Sequence, residues 1–351
     1  MKKTLIYLGI AAATTASFTA CKNGDQVFPD YQDGTTVYFA TQNPVRTITL
    51  GNLEQDNSLD QKHMCAIYAT MGGAYNGRNI TLDIAVDNTL CDNLYFLDDD
   101  NNVAGPVLPM PANYYSLASN QIKYNEMSNM MGRVDVQLTD AFFADPKSIE
   151  ATYVIPVVIN HQTGADHILT GKAKEAGTNP ARTDVDAWEV LPQDYVLYCV
   201  RYINPWDADY IRRGKDVLTY GGTTETKYRR NDDFDGDINA GDEICEINTL
   251  SMTQAVFPTS VRFGGAASKP CDILLTFNGD NCTIASATEG VEASGTGKFV
   301  TKGAPQAWGC KDRDVLYLNY DIDFGSQQVT TTDTLVVRSR RVNKKVTFKT
   351  K

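Results

Sequence analysis

Apolar and polar residues alternate with a period near two along almost the whole chain. Residues 36–39, 46–50, 79–86, 132–138 and 152–159 are short runs rich in β-branched and aromatic side chains, each bounded by Gly, Asn, Asp or Pro. A strand sends successive side chains to opposite faces, so this period predicts half-buried strands. About seven such runs over 35–171 predict an immunoglobulin-like β-sandwich. The one helical candidate is 139–149, with Thr139 placed to cap it. From 172 to 194 the alternation lapses and Gly177, Asn179 and Pro180 accumulate, which predicts an interdomain linker. Alternation resumes over 196–202, 243–252, 272–277, 297–300, 315–322 and 334–338. Asn278-Gly279 between two apolar runs is the strongest hairpin signal. Residues 195–351 are therefore expected to form a C-terminal antiparallel domain, either a lipocalin-like barrel or a second sandwich. The fold class is all-β.

The first residues break this pattern. Lys2 and Lys3 precede an apolar run from Leu5 to Ala13, then small residues lead to Ala20-Cys21. The run is shorter than the roughly 20 residues that span a bilayer, so residues 1–20 read as a lipoprotein signal peptide. Cys21 is the expected lipidation site, although Phe18 stands where leucine is usual; the alternative is an ordinary cleaved leader with Cys21 a plain thiol. Residues 21–34, polar and rich in Gly, Asp and Pro, read as a tether that holds the folded part to a membrane through the lipid.

Charge and composition narrow the function. The formal net charge is −11, and loss of the two leader lysines takes it to −13. That balance argues against nucleic acid as a partner. The 18 tyrosines against 3 histidines suit a binding surface better than proton transfer. His161 and His167 flank Thr163-Gly164 and read as surface residues of a hairpin loop. Eight cysteines include Cys21, and the seven others cannot all pair within one chain. Cys65 and Cys91, on neighbouring expected strands, are the one suggested disulfide. No Cys/His spacing fits a structural zinc site.

The stretches Leu108-Pro109 to Tyr114-Tyr115, Gly132 to Leu138 and Tyr153-Val154-Ile155-Pro156 resemble the N-terminal domain of unknown function of many Bacteroidetes surface lipoproteins. The block WEVLPQDYVLYCVRYINPWDADYIRRG at 188–214 resembles the opening of the C-terminal domain that commonly follows it. The resemblance implies an immunoglobulin-like domain, an all-β domain, and a place in a polysaccharide-utilisation locus as a glycan-binding lipoprotein of the outer membrane. Such lipoproteins often carry several acids just after the cysteine, whereas Lys22-Asn23-Gly24-Asp25 has one; the cell surface is the expected location, and the periplasmic face stays open.

Three constellations stand out. Around Asn204-Pro205, the aromatics Tyr202, Trp206 and Tyr210 sit with Asp207 and Asp209. Aromatic faces stack on sugar rings and carboxylates accept hydroxyl hydrogen bonds, so this is a candidate glycan site; the competing reading is that Trp206 plugs a barrel end. Trp308, in the loop-like 303–309, is a second glycan-binding candidate. The run 232–243 holds Asp233, Asp235, Asp237 and Asp242 near Gly236, a candidate calcium site whose spacing departs from an EF-hand, against a solvated acidic loop. A carboxylate pair such as Asp233 with Glu243 could in principle serve glycoside hydrolysis, but nothing raises one pKa against the other. The basic positions Arg338, Arg340, Arg341, Lys344, Lys345, Lys349 and Lys351 are expected to form a charged edge strand.

Together these features point to a non-catalytic envelope lipoprotein that binds a glycan for an outer-membrane transporter or hydrolase. The alternative is a structural or adhesive envelope protein that binds another protein. No cofactor is expected beyond the candidate calcium.

Overall fold

A computed structural model describes residues 30–350, except 75, 98–99, 126, 128–129, 230–241 and 343–346, and gives the backbone alone for 347–350. Strand accounts for 57% of the described residues and helix for 7%, as the period of two predicts.

The N-terminal half is sandwich-like. Strands β1 (Thr36–Tyr38), β2 (Val45–Thr49), β3 (Met64–Gly72), β4 (Thr81–Val86), β5 (Gln121–Lys123), β6 (Met131–Leu138), β7 (Tyr153–Thr163) and β8 (Tyr195–Ile203) hydrogen-bond in the order β1-β3-β6-β5-β4-β7-β8-β2. Most neighbours are antiparallel, and β8 with β2 is parallel. Alternate side chains, among them Val37, Ile48, Ile67, Leu82, Val134, Ile155 and Val200, meet in one core. The opposite faces of β7 and β8 bury Val154, Val158, Leu197 and Cys199 under a second layer from Leu90, Leu94, Phe96 and Val107. Covered on both sides, these two strands are apolar almost without interruption.

The predicted helix is a short one, Asp140–Ala144, followed by a 3-10 turn at Pro146–Ile149. Thr139 stands at the N-cap, but its hydroxyl donates to the Asn113 carbonyl instead of capping. Asp145 caps the second turn by accepting the Lys147 N–H.

Two boundaries differ from expectation. Residues 172–194 do not link domains: Lys172–Ala173 pairs with Trp188–Val190, and Arg182 grips Asp194 with Nε and Nη2 at 2.9–3.1 Å. Strand β8, assigned from sequence to the C-terminal domain, lies between β7 and β2 in the sandwich sheet. Loss of alternation marks an excursion from the sheet, and only burial on both faces reveals where the next strand returns. The true junction is Asn204-Pro205.

Beyond it lies a barrel. Strands β9 (Ala208–Tyr220), β10 (Thr223–Arg229), β11 (Glu243–Thr249), β12 (Gln254–Val261), β13 (Lys269–Asn278), β14 (Asn281–Ser286), β15 (Glu292–Ala307), β16 (Lys311–Asp323) and β17 (Gln327–Ser339) are all antiparallel. The first half of β9 pairs with β11 and its second half forms a hairpin with β10. Its other edge pairs with β17 along its length, closing eight strands into a barrel. Of the two C-terminal architectures left open, the barrel is the one formed. Eight strands enclose a space that side chains just fill, and Phe257, Ile273, Leu275, Leu316, Leu318 and Leu335 occupy it. The Asn278-Gly279 signal marks a real hairpin: Asn278 pairs with Asn281, and Gly279 takes φ +61° in a two-residue loop with Asp280.

The basic C-terminal positions do not share one edge strand; only Lys349 among those described lies on one. Arg338 belongs to β17, which has a partner on each side, and Arg340 and Arg341 turn into the domain junction. Lys344, Lys345 and Lys351 lie outside the described residues; Lys349 is in β18 (Thr347–Thr350), which returns to pair with Leu94–Leu97 of the N-terminal half. The suggested Cys65–Cys91 disulfide is absent. Cys65 faces the sandwich core and Cys91 the outer layer, on opposite sides of β7 and β8. Burial pushes both thiols up to about 12.

Candidate functional site

The aromatic block chosen from sequence is the joint between the modules. Tyr202 is buried in the sandwich core, its hydroxyl donating to the Phe143 carbonyl at 3.0 Å, and burial raises its pKa to about 12. Trp206, 8% exposed, stacks on Phe277 with ring centroids 3.6 Å apart and planes 5° from parallel. Tyr210 is fully buried and donates to the Trp206 carbonyl at 2.7 Å. None of the three offers a ring face to a sugar, which corrects their assignment to a glycan site: Trp206 closes the barrel end.

The polar residues of the block serve the same joint. Asn204 Oδ1 accepts the Trp206 and Asp207 N–H groups, and its Nδ2 donates to the Ser251 and Gln254 carbonyls. Asp207 accepts the Thr249 N–H and hydroxyl at 2.7 and 2.8 Å, while Arg341 bonds its other oxygen at 3.0 Å. Arg340 reaches the Pro205 and Asp207 carbonyls and pairs with buried Asp314 at 3.0 Å. A Cβ at Gly51 would lie 2.7 Å from the Arg340 guanidinium carbon, so glycine leaves Arg340 its room. Asn52 donates to Asp314 across the junction.

Trp308 is half-buried. Its Nε1 donates to the Val337 carbonyl at 3.1 Å, and the Arg313 guanidinium covers its ring at 4.3 Å. Arg313 and Lys311 in turn bind Glu54 of the sandwich. The ring face expected to stack on sugar is thus occupied by the protein's own cation.

The candidate calcium residues Asp233, Asp235 and Asp237 lie outside the described residues. Asp242 is described, and Arg213 holds both its oxygens at 2.9 and 3.1 Å. Glu243 accepts from Arg212 at 2.8 Å. Arg212, 5% exposed, crosses the barrel interior and also donates to Asp333, Thr259 and the Tyr320 hydroxyl at 3.0–3.1 Å. Burial opposes its charge, but Tyr320, Asp333 and Glu243 outweigh that and raise its pKa. Arg229 adds a second cation against Asp333, at 2.5 Å, and pairs with Asp216. The interior charges pair with one another, with Arg229 Nε left without a hydrogen-bond acceptor, and this mutual pairing makes them structural.

The outer wall of the barrel is different. Pairing across β13, β14, β15 and β16 sets Asn278, Asn281, Lys298 and Tyr317 in one row and Thr276, Thr283, Thr296 and Asn319 in the next. All eight are exposed and line a hollow of about 640 Å³. On the inward side, β15 carries glycine at 295 and 297. A Cβ at Gly297 would meet Leu318 at 2.5 Å and Cys282 at 2.7 Å, so glycine lets the strand lie close over the core. The hollow lies over this strand. Sequence reading missed these residues because outward polar positions look like ordinary strand surface; the available signal was Gly295-Thr296-Gly297 inside a strand run.

A second hollow, of about 560 Å³, continues along the same strands and is lined by Ser294, Glu292, Asp321, Asp323, Gln328 and Thr330, among others. A third, of about 960 Å³, lies in the N-terminal half beside Tyr31, Gln32, Asp33, Tyr38 and Gln193. There the Tyr31 hydroxyl is bonded to Asp33, which raises its pKa.

Fold and surface define a two-module β-protein: a sandwich joined without a linker to a closed, filled barrel whose outer wall carries a polar hollow. Residues 31–166 match a family model for an N-terminal domain, and residues 205–341 match Domain of unknown function (DUF5627). A Bacteroides ovatus protein of unknown function, solved by crystallography, is 41% identical over 92% of this chain and 100% of its own, with a TM-score of 0.82. The chain belongs to the family of that protein. The ywiB protein from Bacillus subtilis, 9% identical over 38% of this chain and 94% of its own, has a TM-score of 0.19 and carries no structural argument. No curated protein matches. The second family match begins at Pro205, where the structure places the junction.

Proposed function

We propose that this protein is a lipid-anchored outer-membrane protein that binds a glycan, without transforming it, on the outer wall of its barrel. The supporting observation is the row pattern around Tyr317. A ring 41% exposed stands among amides of Asn278, Asn281 and Asn319, hydroxyls of Thr276, Thr283 and Thr296, and the Lys298 ammonium. Sugars present C–H faces that stack on an aromatic ring and hydroxyls that exchange hydrogen bonds with amides and hydroxyls. Because the eight side chains stand on paired strands, their spacing is set before a ligand arrives, which lowers the ordering cost of binding. The N-terminal hollow fits less well, since the hydroxyl of its exposed tyrosine is already engaged.

Cys21, which lies outside the described residues, would carry the lipid, and residues 22–34 the tether. Anchoring raises the effective concentration of a weak binder at the membrane, where a transporter or hydrolase would receive the glycan.

The test is affinity electrophoresis of the chain from Lys22 onward through gels containing neutral polysaccharides. Tyr317→Ala should lose retention at an unchanged melting temperature. Retention equal to wild type removes the wall from the reading, and no retention of wild type on any gel leaves the adhesive alternative. Mass spectrometry of the membrane-bound form, with Cys21→Ser as control, tests the anchor.

A further inference from the structure

The two hollows on the barrel wall are consecutive stretches of one surface. Below the Tyr317 and Asn319 rows, the next outward row on β14–β17 is Ala285, Ser294, Asp321 and Thr330, and beyond it Glu292 pairs with Asp323 and Asp323 with Gln328. From Lys298 to Glu292 is six residues along β15, about 20 Å of strand. No bulky side chain interrupts the path, since its middle row consists of Ala285, Ser294 and Asp321 with Thr330. Its chemistry changes along its length. The upper end has amides, hydroxyls, the Tyr317 ring and one ammonium; the lower end has Glu292, Asp321 and Asp323. Asp321 accepts from the Thr330 hydroxyl at 2.5 Å, and Asp323 from Gln328 at 2.8 Å. The pair Glu292 and Asp323 stands on adjacent strands in register with no described cation among the residues of that hollow.

We infer that the wall takes an extended, uncharged polysaccharide chain lying along β14, β15 and β16, and rejects uronate or sulfated chains; this rests on the glycan reading above. Carboxylates accept sugar hydroxyls as strong, charge-assisted hydrogen bonds. The same carboxylates repel an anionic chain, and the net charge of −13 left after loss of the two leader lysines adds to the repulsion at long range. A ligand much shorter than the path fills one hollow and forgoes the other.

The experiment uses the chain from Lys22 onward against neutral α-glucan, β-glucan, xylan and galactomannan, and against polygalacturonate, with calorimetry on oligosaccharides of the retained polymer. Affinity should rise at least tenfold from a disaccharide to a chain about 20 Å long, then level off. Polygalacturonate should not retain the wild type. The Glu292→Lys/Asp321→Lys variant should gain retention on polygalacturonate, with its fold checked by circular dichroism. Three results overturn the inference alone: a disaccharide that binds as well as longer chains, retention of wild type on polygalacturonate equal to that on neutral gels, or a folded charge-reversed variant that gains nothing. Failure of every neutral polysaccharide to retain the wild type overturns both this inference and the glycan reading.

Discussion

Replacing Trp206 with alanine removes the ring that closes the barrel end, and its consequence can be worked from the contacts. The side chain is 8% exposed and lies flat on Phe277 at 3.6 Å. Burial of a large aromatic and the cavity left behind make such a truncation cost about 3–5 kcal/mol, of which stacking contributes about 1 kcal/mol. Against a domain stability of roughly 5–15 kcal/mol this is a large fraction. At about 2–4 °C per kcal/mol for a unit of this size, the melting temperature should fall by roughly 6–20 °C. Differential scanning calorimetry and urea midpoints followed by far-ultraviolet circular dichroism measure it. Below the transition, retention on a neutral polysaccharide gel should equal that of wild type, because Trp206 presents no face to a ligand. A variant that melts within 2 °C of wild type and loses retention would refute the reasoning and return Trp206 to a binding role.

Arg212→Met should destabilise by about 3–5 kcal/mol, read as a urea midpoint, because Asp333 and Glu243 lose a buried cation; adding Asp333→Leu should recover part of that loss. Asp145 is pushed up by burial, but the Tyr153 hydroxyl, the Lys147 N–H and the Tyr114 hydroxyl outweigh this and hold its pKa below the usual value. A carboxyl lowered on folding stabilises above its unfolded pKa, and that contribution is lost as pH falls through the folded pKa. The melting-temperature gap between wild type and Asp145→Asn should therefore be present at pH 7 and shrink below about pH 4; a gap independent of pH would contradict it. Gly297→Ala forces a methyl against Leu318 and Cys282, so it should cost about 1–3 kcal/mol in a urea titration and weaken polysaccharide retention as the wall is pushed outward.

The strands were legible because alternation survives wherever one face meets a core and the other meets water. It held through the barrel, where Leu316, Leu318 and Tyr320 point in and Tyr317 and Asn319 point out. It misplaced the domain boundary for the opposite reason. Strand β8 is buried on both faces, so Val196 to Val200 read as a new core beginning when they belong to two cores of the preceding module. The glycan block failed on composition: Asn, Asp and aromatic residues around a proline are what a sugar site needs, and equally what a buried junction needs to satisfy its backbone and fill its volume. Burial separates the two cases, and burial depends on Arg340, Arg341, Thr249 and Gln254, whose contacts with the block span 42 or more residues of sequence. The wall escaped notice because no single residue in it is unusual; only the register of four strands brings Asn278, Asn281, Lys298 and Tyr317 side by side.

The position of the joint bears on how such a wall can be presented. Only Asn204 to Asp207 separates the last sandwich strand from the first barrel strand, and each of the four is tied down: Asn204 by its amide, Pro205 by Arg340, Trp206 by Phe277, Asp207 by Thr249 and Arg341. A swinging linker needs backbone groups that water can satisfy as the chain moves, whereas these are satisfied within the protein and largely buried. Arg340–Asp314 sits over the same joint with both side chains almost wholly buried, so separating the modules would expose an ion pair and the Trp206–Phe277 stack together. Glu54 of the sandwich adds surface contacts to Lys311 and Arg313, which by themselves contribute little. The joint therefore holds the barrel wall at a fixed bearing to the sandwich.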